Sequence, residues 1–582
     1  MIFAAGSVAM SVLAGFPQTS LYIFFFLGCL FLFEAISILR RPDQDRWKKA
    51  GVISAKFSFI IIIGLGLTAI QLFPTIELAP LSYRAGISYE KSLVGSLTWE
   101  QLLTLLVPKF FGASSAEGYN YWGPAAYWSY WETCIYVGVS SLALILFGLS
   151  FVRGKPFFVF LAFLALFTLL VGLGDGFVLH KLMFSFAPGF SKFRNPARIT
   201  MLFEFACALI AGLGVQSLLS EKQPQNRWSK LSPFILAGSA LLLFLLLQGG
   251  ALADMFAFLK RPQIQHFVTS EVTTGLFLAL AASAAVLAAI RGLISREVSA
   301  IVLFVLCFVD LYIFGFNQNN GATDPRDYFG RGESVAARLR DEGKNELFRI
   351  NSREGGYMIL DRNQGMIDHV FLLEGYTPLA VERVWPPAKN ADGQYDMLNI
   401  KYQIEVDEKR QAMGLRERTG YMPRAYFVEA ARVLLNDTEV DKFMKSPQFD
   451  YRRMVALEKP PAFSVGDETN RQYVPARIVS YENEKIVITL SNQRTGILVL
   501  SEVFYPGWAA WVDGTEQEIL RANGTLRGVA LPPGDHKVIF AFVPASFRYG
   551  AWVSAGSLVL LGIVVGGLRL NTQRKTKAAA SA

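Results

Sequence analysis

Ten apolar stretches dominate the chain, at residues 1–14, 20–39, 51–72, 133–151, 156–173, 198–217, 232–249, 273–290, 298–316 and 550–570. A run of about 20 such residues spans the roughly 30 Å hydrocarbon layer of a bilayer, and a chain built of them has few other folds open to it. Of 582 residues, 52% are hydrophobic and only 18% charged, where soluble domains carry about 25% charged residues. The charge deficit excludes the four water-soluble domains that length alone suggests at about 150 residues each. Cys29, Cys134, Cys207 and Cys307 all lie inside apolar runs without a C-x-x-C partner, so they read as small buried hydrophobes. The four histidines show no metal-ligand spacing.

The net charge of +9 does not point to nucleic acid, because the basic residues cluster in alternate short loops. Arg40, Arg41, Arg46, Lys48 and Lys49 mark the first such loop. Arg153 with Lys155, Lys222 with Arg227 and Lys230, and Arg291 with Arg296 mark later ones, and Arg574, Lys575 and Lys577 the tail. These are expected on the cytoplasmic side, leaving 73–132, 174–197, 250–272 and 317–549 outside. Segment 174–197 breaks the rule by holding Lys181, Lys192 and Arg194. The first apolar run starts at Met1 without a basic flank, unlike a signal peptide, and is expected to be the outer end of a helix belonging to a longer chain.

Residues 317–549 change character: charged, rich in turn formers, and long enough for one or two extracytoplasmic domains. A short helix is expected at 334–342 and a strand at 424–434. From 475 the pattern is β, with Ile478–Leu490 folding about Tyr-Glu-Asn-Glu-Lys and turn pairs at Asp513-Gly514, Asn523-Gly524 and Pro533-Gly534. That spacing predicts an antiparallel meander and hence a sandwich. The expected organisation is a multi-span region 1–316 with its outer loop 73–132, an α+β region 317–470, a β-sandwich 471–549, a last span 550–570 and a cytoplasmic tail 571–582.

Three groups of residues carry possible chemistry. The outer loop packs Tyr119, Tyr121, Trp122, Tyr127, Trp128, Tyr130 and Trp131 into thirteen positions; such rings stack on sugars or anchor a loop at a membrane surface. Leu102–Val107 of the same loop reads as an interfacial amphipathic helix. Arg194 and Arg198 flank Pro196 at the start of a span, where helix N–H groups and two guanidinium groups favour a phosphate. Acids within or beside spans form the third group: Asp175, Glu204 and Asp310, costly in a membrane and functional by default. At similar depth they are expected to line one outward cavity with the two arginines.

Several blocks in one order resemble the bacterial YfhO membrane-protein family: Gly15-Phe16-Pro17-Gln18, Gln71–Leu78, Tyr121-Trp122-Gly123, Phe193–Arg198, Tyr395–Tyr402, Tyr505–Trp508 and Leu531–His536. The resemblance implies a GT-C-like polytopic helical protein of about ten spans, with a mostly β extracytoplasmic domain before the last one. It implies a glycosyltransferase of the bacterial cytoplasmic membrane, moving a sugar from a polyprenyl-phosphate donor to a cell-envelope acceptor such as a teichoic-acid-like polymer. Arg84, Arg194 and Arg198 would then hold the lipid phosphate. Asp175, Glu77, Glu204 and Asp310 would be candidate acids and bases. Tyr121, Trp122, Trp128 and Trp131 would stack on sugar or acceptor. Family chains open with further spans and an acidic outer loop, and carry His where Phe16 stands, so the main base is expected upstream of Met1. No cofactor is evident, the metal requirement is open, and no nucleic-acid partner is expected. A proton-coupled transporter or lipid flippase, and a non-catalytic glycan-binding scaffold, are the competing readings.

Overall fold

The computed structural model describes residues 1–115, 118–124, 130–220, 227–316, 332–407 and 412–580, with single positions 324, 326, 327, 330 and 409. The chain divides into two compact units, residues 1–65 with 86–322, and residues 66–85 with 323–582.

Seven helices among the described residues are long and apolar enough to cross a membrane: Pro17–Leu39, Arg46–Leu67, Pro196–Leu219, Arg227–Gln248, Pro262–Ile290, Arg296–Gly315 and Ala545–Gly567. The other three expected spans fold as shorter helices, Ile2–Leu13, Val139–Leu149 and Pro156–Gly172. The run 133–151 illustrates why. Its apolar composition continues, but Gly138 sits at φ 91° and the helix begins only at Val139. At 1.5 Å per residue its 11 residues reach about 16 Å, half a bilayer.

In the first unit the helix Val139–Leu149 packs against Thr200–Leu219 through two facing glycines. A Cβ on Gly214 would stand 2.2 Å from the Leu144 carbonyl oxygen, and one on Gly148 2.4 Å from that of Ile210. Only hydrogen fits there, which is how small residues let apolar helices touch backbone to backbone. Around this contact Ala143, Phe147, Leu213, Leu278, Ala282 and Leu303 form a buried core. Leu102–Val107 is not an amphipathic helix. It lies largely in a 3₁₀ segment, Glu100–Leu105, whose Gln101 and Thr104 are buried and hydrogen-bonded.

The second unit holds a three-stranded sheet and two larger sheets. Strands Arg349–Asn351, Ile400–Asp407 and Ala412–Glu417 form the small one. The helix Glu333–Glu342 packs on it through Ala336 and Leu339, close to the predicted position. A seven-stranded sheet runs Val474–Pro475, Ala425–Val428, Gly496–Val503, Leu526–Leu531, Leu520–Ala522, Met454–Leu457, Ala430–Val433. A five-stranded sheet runs Arg477–Tyr481, Lys485–Asn492, Gly534–Phe542, Trp508–Val512, Thr515–Gln517. The expected strand 424–434 is two strands, broken at Glu429.

The seven-stranded sheet is buried on both faces. Phe427, Leu498, Leu500 and Val529 point to the five-stranded sheet, where they meet Ile488, Val538 and Phe540. Their neighbours Tyr426, Val428, Ile497 and Val499 point the other way, onto Val440, Phe443 and Met444. Alternation across the pleat explains why Ile497–Leu500 reads as a continuous apolar run. The two sheets form a sandwich, but not a simple meander: Gly496–Val503 pairs with Leu526–Leu531, while Trp508–Val512 pairs with Gly534–Phe542. Strands from 425–457 also join the larger sheet, so the sandwich draws on residues well before 471.

The turn chemistry behaves as its residues dictate. Asp513 and Gly514, at φ 52° and 87°, close a two-residue hairpin between Val512 and Thr515, as a primed turn requires. Asp513 accepts from the Lys537 amide at 2.8 Å and faces His536 Nδ1 at 2.7 Å. These contacts, the amide first, hold its carboxyl below the ordinary range.

Two outcomes are expected. Gly214→Ala lowers the melting temperature of detergent-solubilised protein, with a loss of about 1–3 kcal/mol from overpacking. Gly212→Ala, where a Cβ meets nothing within 4 Å, leaves it unchanged or raises it. Because the folded Asp513 titrates lower than the unfolded, its contribution is complete above pH ~4 and is lost as pH falls through the folded value. Melting curves of Asp513→Asn against wild type from pH 7 down to 3 should converge at the acid end.

Candidate functional site

Pro196 opens a 3₁₀ turn, Pro196–Ile199, just ahead of the helix Thr200–Leu219, its ring presetting the φ of a first helical residue. Asn195 before it takes the left-handed region at φ 62°, which asparagine tolerates. The Arg198 side chain next in line is heavily engaged. Its Nε and NH2 donate to the two carboxylate oxygens of Glu132, a bidentate pair. NH1 donates to Gln18 Oε1 at 2.7 Å, and the guanidinium lies 5.0 Å from the Phe16 ring centroid. Gln18 is buried and uses its amide nitrogen to bond the Arg194 carbonyl at 2.6 Å and Tyr22 Oη at 2.9 Å. One glutamine thus ties the helix Pro17–Leu39 to both arginine positions.

Arg194 is exposed and lines a cavity of about 10 Å³ with Gln18, Tyr22, His180, Phe190 and Phe193, room for one water. His180 is buried, with Nε2 3.3 Å from Ser92 Oγ and its ring stacked on Tyr89. Burial holds its pKa below the ordinary value, favouring the neutral ring. Asp175 lies exposed in the turn Gly174–Gly176 and interacts with Tyr89, whose hydroxyl is raised by burial and then by that carboxylate.

Asp310 is 3% exposed and accepts from Tyr136 Oη and, at 3.0 Å, from the Ser140 amide. It therefore caps the N-terminus of the half-length helix Val139–Leu149. Its cavity, about 30 Å³, is shared with Lys109, Tyr136 and Glu271. Glu204 is half-buried on Thr200–Leu219. Arg194 and Asp310 line separate cavities, each with space for only one or two waters.

Glu77 and Arg84 fall in the other unit. Glu77 accepts from Tyr505 Oη at 3.2 Å; burial and this carboxylate push the Tyr505 hydroxyl up to about 12. Arg84 donates to Tyr83 Oη at 3.2 Å, beside the bridge that pairs Ser82 with Val381. Of the aromatic loop, Tyr121 bonds Pro124 and Gln101, and Trp122 donates to the Phe110 carbonyl at 3.0 Å while packing on Phe258 and Phe267. Both rings serve the interior. Trp131 is 60% exposed, and Trp128 lies outside the described residues. Among the described residues no three His, Cys, Asp or Glu side chains are grouped to hold a metal.

Glu132 is the site residue that sequence reasoning misses. It stands one position before the apolar run 133–151, outside the search for acids within spans, and nothing local announces its pairing with a residue 66 positions away. Asp396, in the block Tyr395–Tyr402, anchors a second charged network, accepting from Arg418 at 2.7 Å and Arg452 at 2.9 Å.

Membrane-length helices together with a β-rich C-terminal region make this a multi-pass membrane protein. Residues 468–554 match the family model described as bacterial membrane protein YfhO. The match supports the resemblance read from the sequence over the second half of the sandwich and the start of the last helix, where the blocks Tyr505–Trp508 and Leu531–His536 fall. Neither the curated proteins nor the solved structures compared with the chain gave a match.

The pair Glu132–Arg198 predicts a measurable coupling. Glu132→Gln and Arg198→Gln should each destabilise by about 1–3 kcal/mol, since each leaves a partly buried charge unpaired. The double variant should lose less than their sum; strictly additive losses in a thermal-unfolding cycle would contradict the pairing.

Proposed function

We propose that the protein is a membrane glycosyltransferase, GT-C-like in architecture. In this reading it moves a sugar from a polyprenyl-phosphate donor to a cell-envelope acceptor on the outer face of the bacterial cytoplasmic membrane. Residues 317–549 lie outside and the tail lies in the cytoplasm. The observation that carries the reading is the arginine segment: exposed Arg194 beside Arg198, the latter clamped to Glu132 and Gln18. The chemistry asks for two things, a cation to stabilise the departing lipid phosphate and an acid–base group for the acceptor hydroxyl. Arg194 supplies the first. Arg198 is neutralised by Glu132 and acts by fixing the segment and presenting that carboxylate. Asp175 is a further acid; Asp310, engaged in capping, is a positioning residue. Trp131, 60% exposed, is a ring for stacking on an incoming sugar.

A non-catalytic envelope scaffold is favoured by one observation, the saturation of Arg198 by groups of this chain. Arg194→Ala separates the two. An enzyme should lose at least about tenfold in sugar transfer from a polyprenyl-phosphate donor in membranes, with the fold intact by circular dichroism. Transfer at the wild-type rate would remove Arg194 from the phosphate site, and absence of transfer by the wild type itself would favour the scaffold.

A further inference from the structure

The β domain buries more positive charge than it neutralises. Arg349, Arg424 and Arg527 converge on one carboxylate, Glu502, at an irregularity in the strand Gly496–Val503 where pairing with Leu526–Leu531 slips between Leu500 and Val503. Such a bulge re-aims side chains. Arg349 is satisfied: it donates to the Leu398 and Ser501 carbonyls at 2.9 and 2.8 Å and to Glu502 Oε1 at 3.0 Å. Tyr481 takes the same oxygen at 2.6 Å.

Arg424 is different. It is 2% exposed, and none of its three guanidinium nitrogens has a hydrogen-bond partner among the described residues. Its nearest ionic neighbour is Glu502 Oε1 at 3.5 Å. Arg527, 5% exposed, bonds the Val503 carbonyl through Nε and lies 3.7 Å from the Trp508 ring centroid, but its NH1 is also buried without a partner. Three guanidinium groups against one carboxylate leave two positive charges in a desolvated place, where unpaired donors are costly. Burial pushes both Arg424 and Arg527 down to about 10.

The cover over Arg424 is thin. Phe371, 40% exposed, lies 5.0 Å from the guanidinium and packs edge-on against Tyr481. The same Phe371 lines a cavity of about 130 Å³, with Arg340, Lys344, Glu346 and His369 also on its wall. Arg424 and Arg527 are not on that wall; Phe371 is the side chain common to the cavity and the cluster, and the cavity itself has room for a tetrahedral oxyanion with some hydration.

We propose that the Arg424–Arg527 cluster is a binding site for a phosphate group, entered past Phe371. Arg forks match phosphate oxygens bidentately, and a phosphate would satisfy the orphaned donors and offset the surplus charge. This site is independent of the arginine segment of the first unit and of the sugar-transfer reading.

The test uses the full chain in neutral detergent. Thermal melting is followed while inorganic phosphate replaces chloride at constant ionic strength. The expected result is a saturable rise of a few degrees, abolished in Arg424→Met. Phe371→Ala, which keeps the cluster and removes the cover, should reach half-saturation at lower phosphate and guards against a misfolded Arg424→Met. Lack of a saturable rise in wild type, or an equal rise in Arg424→Met, overturns the proposal. Nanodiscs distinguish the source. If phosphatidylglycerol in place of phosphatidylcholine raises the melting temperature and cancels the effect of added phosphate, the group is lipid-borne; if phosphate still acts, it is free.

Discussion

A polar group enclosed by apolar helices has no water to fall back on, and this requirement organises the first unit. The helix Val139–Leu149 begins partway through an apolar run, so its first amides are orphaned where lipid or packed side chains cannot satisfy them. Asp310 reaches from the facing helix Arg296–Gly315 to take the Ser140 amide and the Tyr136 hydroxyl, and Tyr136 Oη in turn accepts from the Val139 amide. With that end secured, the short helix can lie against Thr200–Leu219 at glycine-to-glycine distance. An aspartate in a span therefore need not be catalytic to have a role: here it caps the first turn of a half-length helix.

The same accounting applies at Arg198 and at Glu502, with different results. Arg198 finds Glu132, Gln18 and an aromatic ring, so its charge is closed within the protein. Glu502 faces three guanidinium groups and leaves donors over. A closed cluster fixes geometry; an open one has capacity for a further partner. Which of two buried charge clusters binds something is decided by the remainder after internal pairing, not by how many charged residues it holds.

Much of the architecture was legible because its signals are local. Apolar runs located the seven membrane-length helices among the described residues, and Asp513-Gly514 announced its hairpin because two successive positive φ values suit few other residues. The sandwich was legible as strands but not as pairings, since Gly496–Val503 pairs past its nearest neighbour in sequence. At 133–151 the composition is continuous but Gly138 interrupts the backbone, and the helix is 11 residues long. Hydropathy measures solubility in lipid and is blind to a single dihedral.

The candidate site was legible only by half, and the division is physical. Arg194, Arg198 and Asp310 were conspicuous because charge near a span is expensive anywhere in it. Their partners were not, because Glu132 and Gln18 lie 66 and 180 residues from Arg198 and are selected by tertiary packing. Arg424 was invisible for the opposite reason: in a charged β domain an arginine attracts no notice until burial removes its water and its neighbours fail to replace it. Sequence thus exposes costly residues in apolar spans and hides them in charged domains, so in a chain made of both, the β domain is where unassigned binding sites are most readily overlooked.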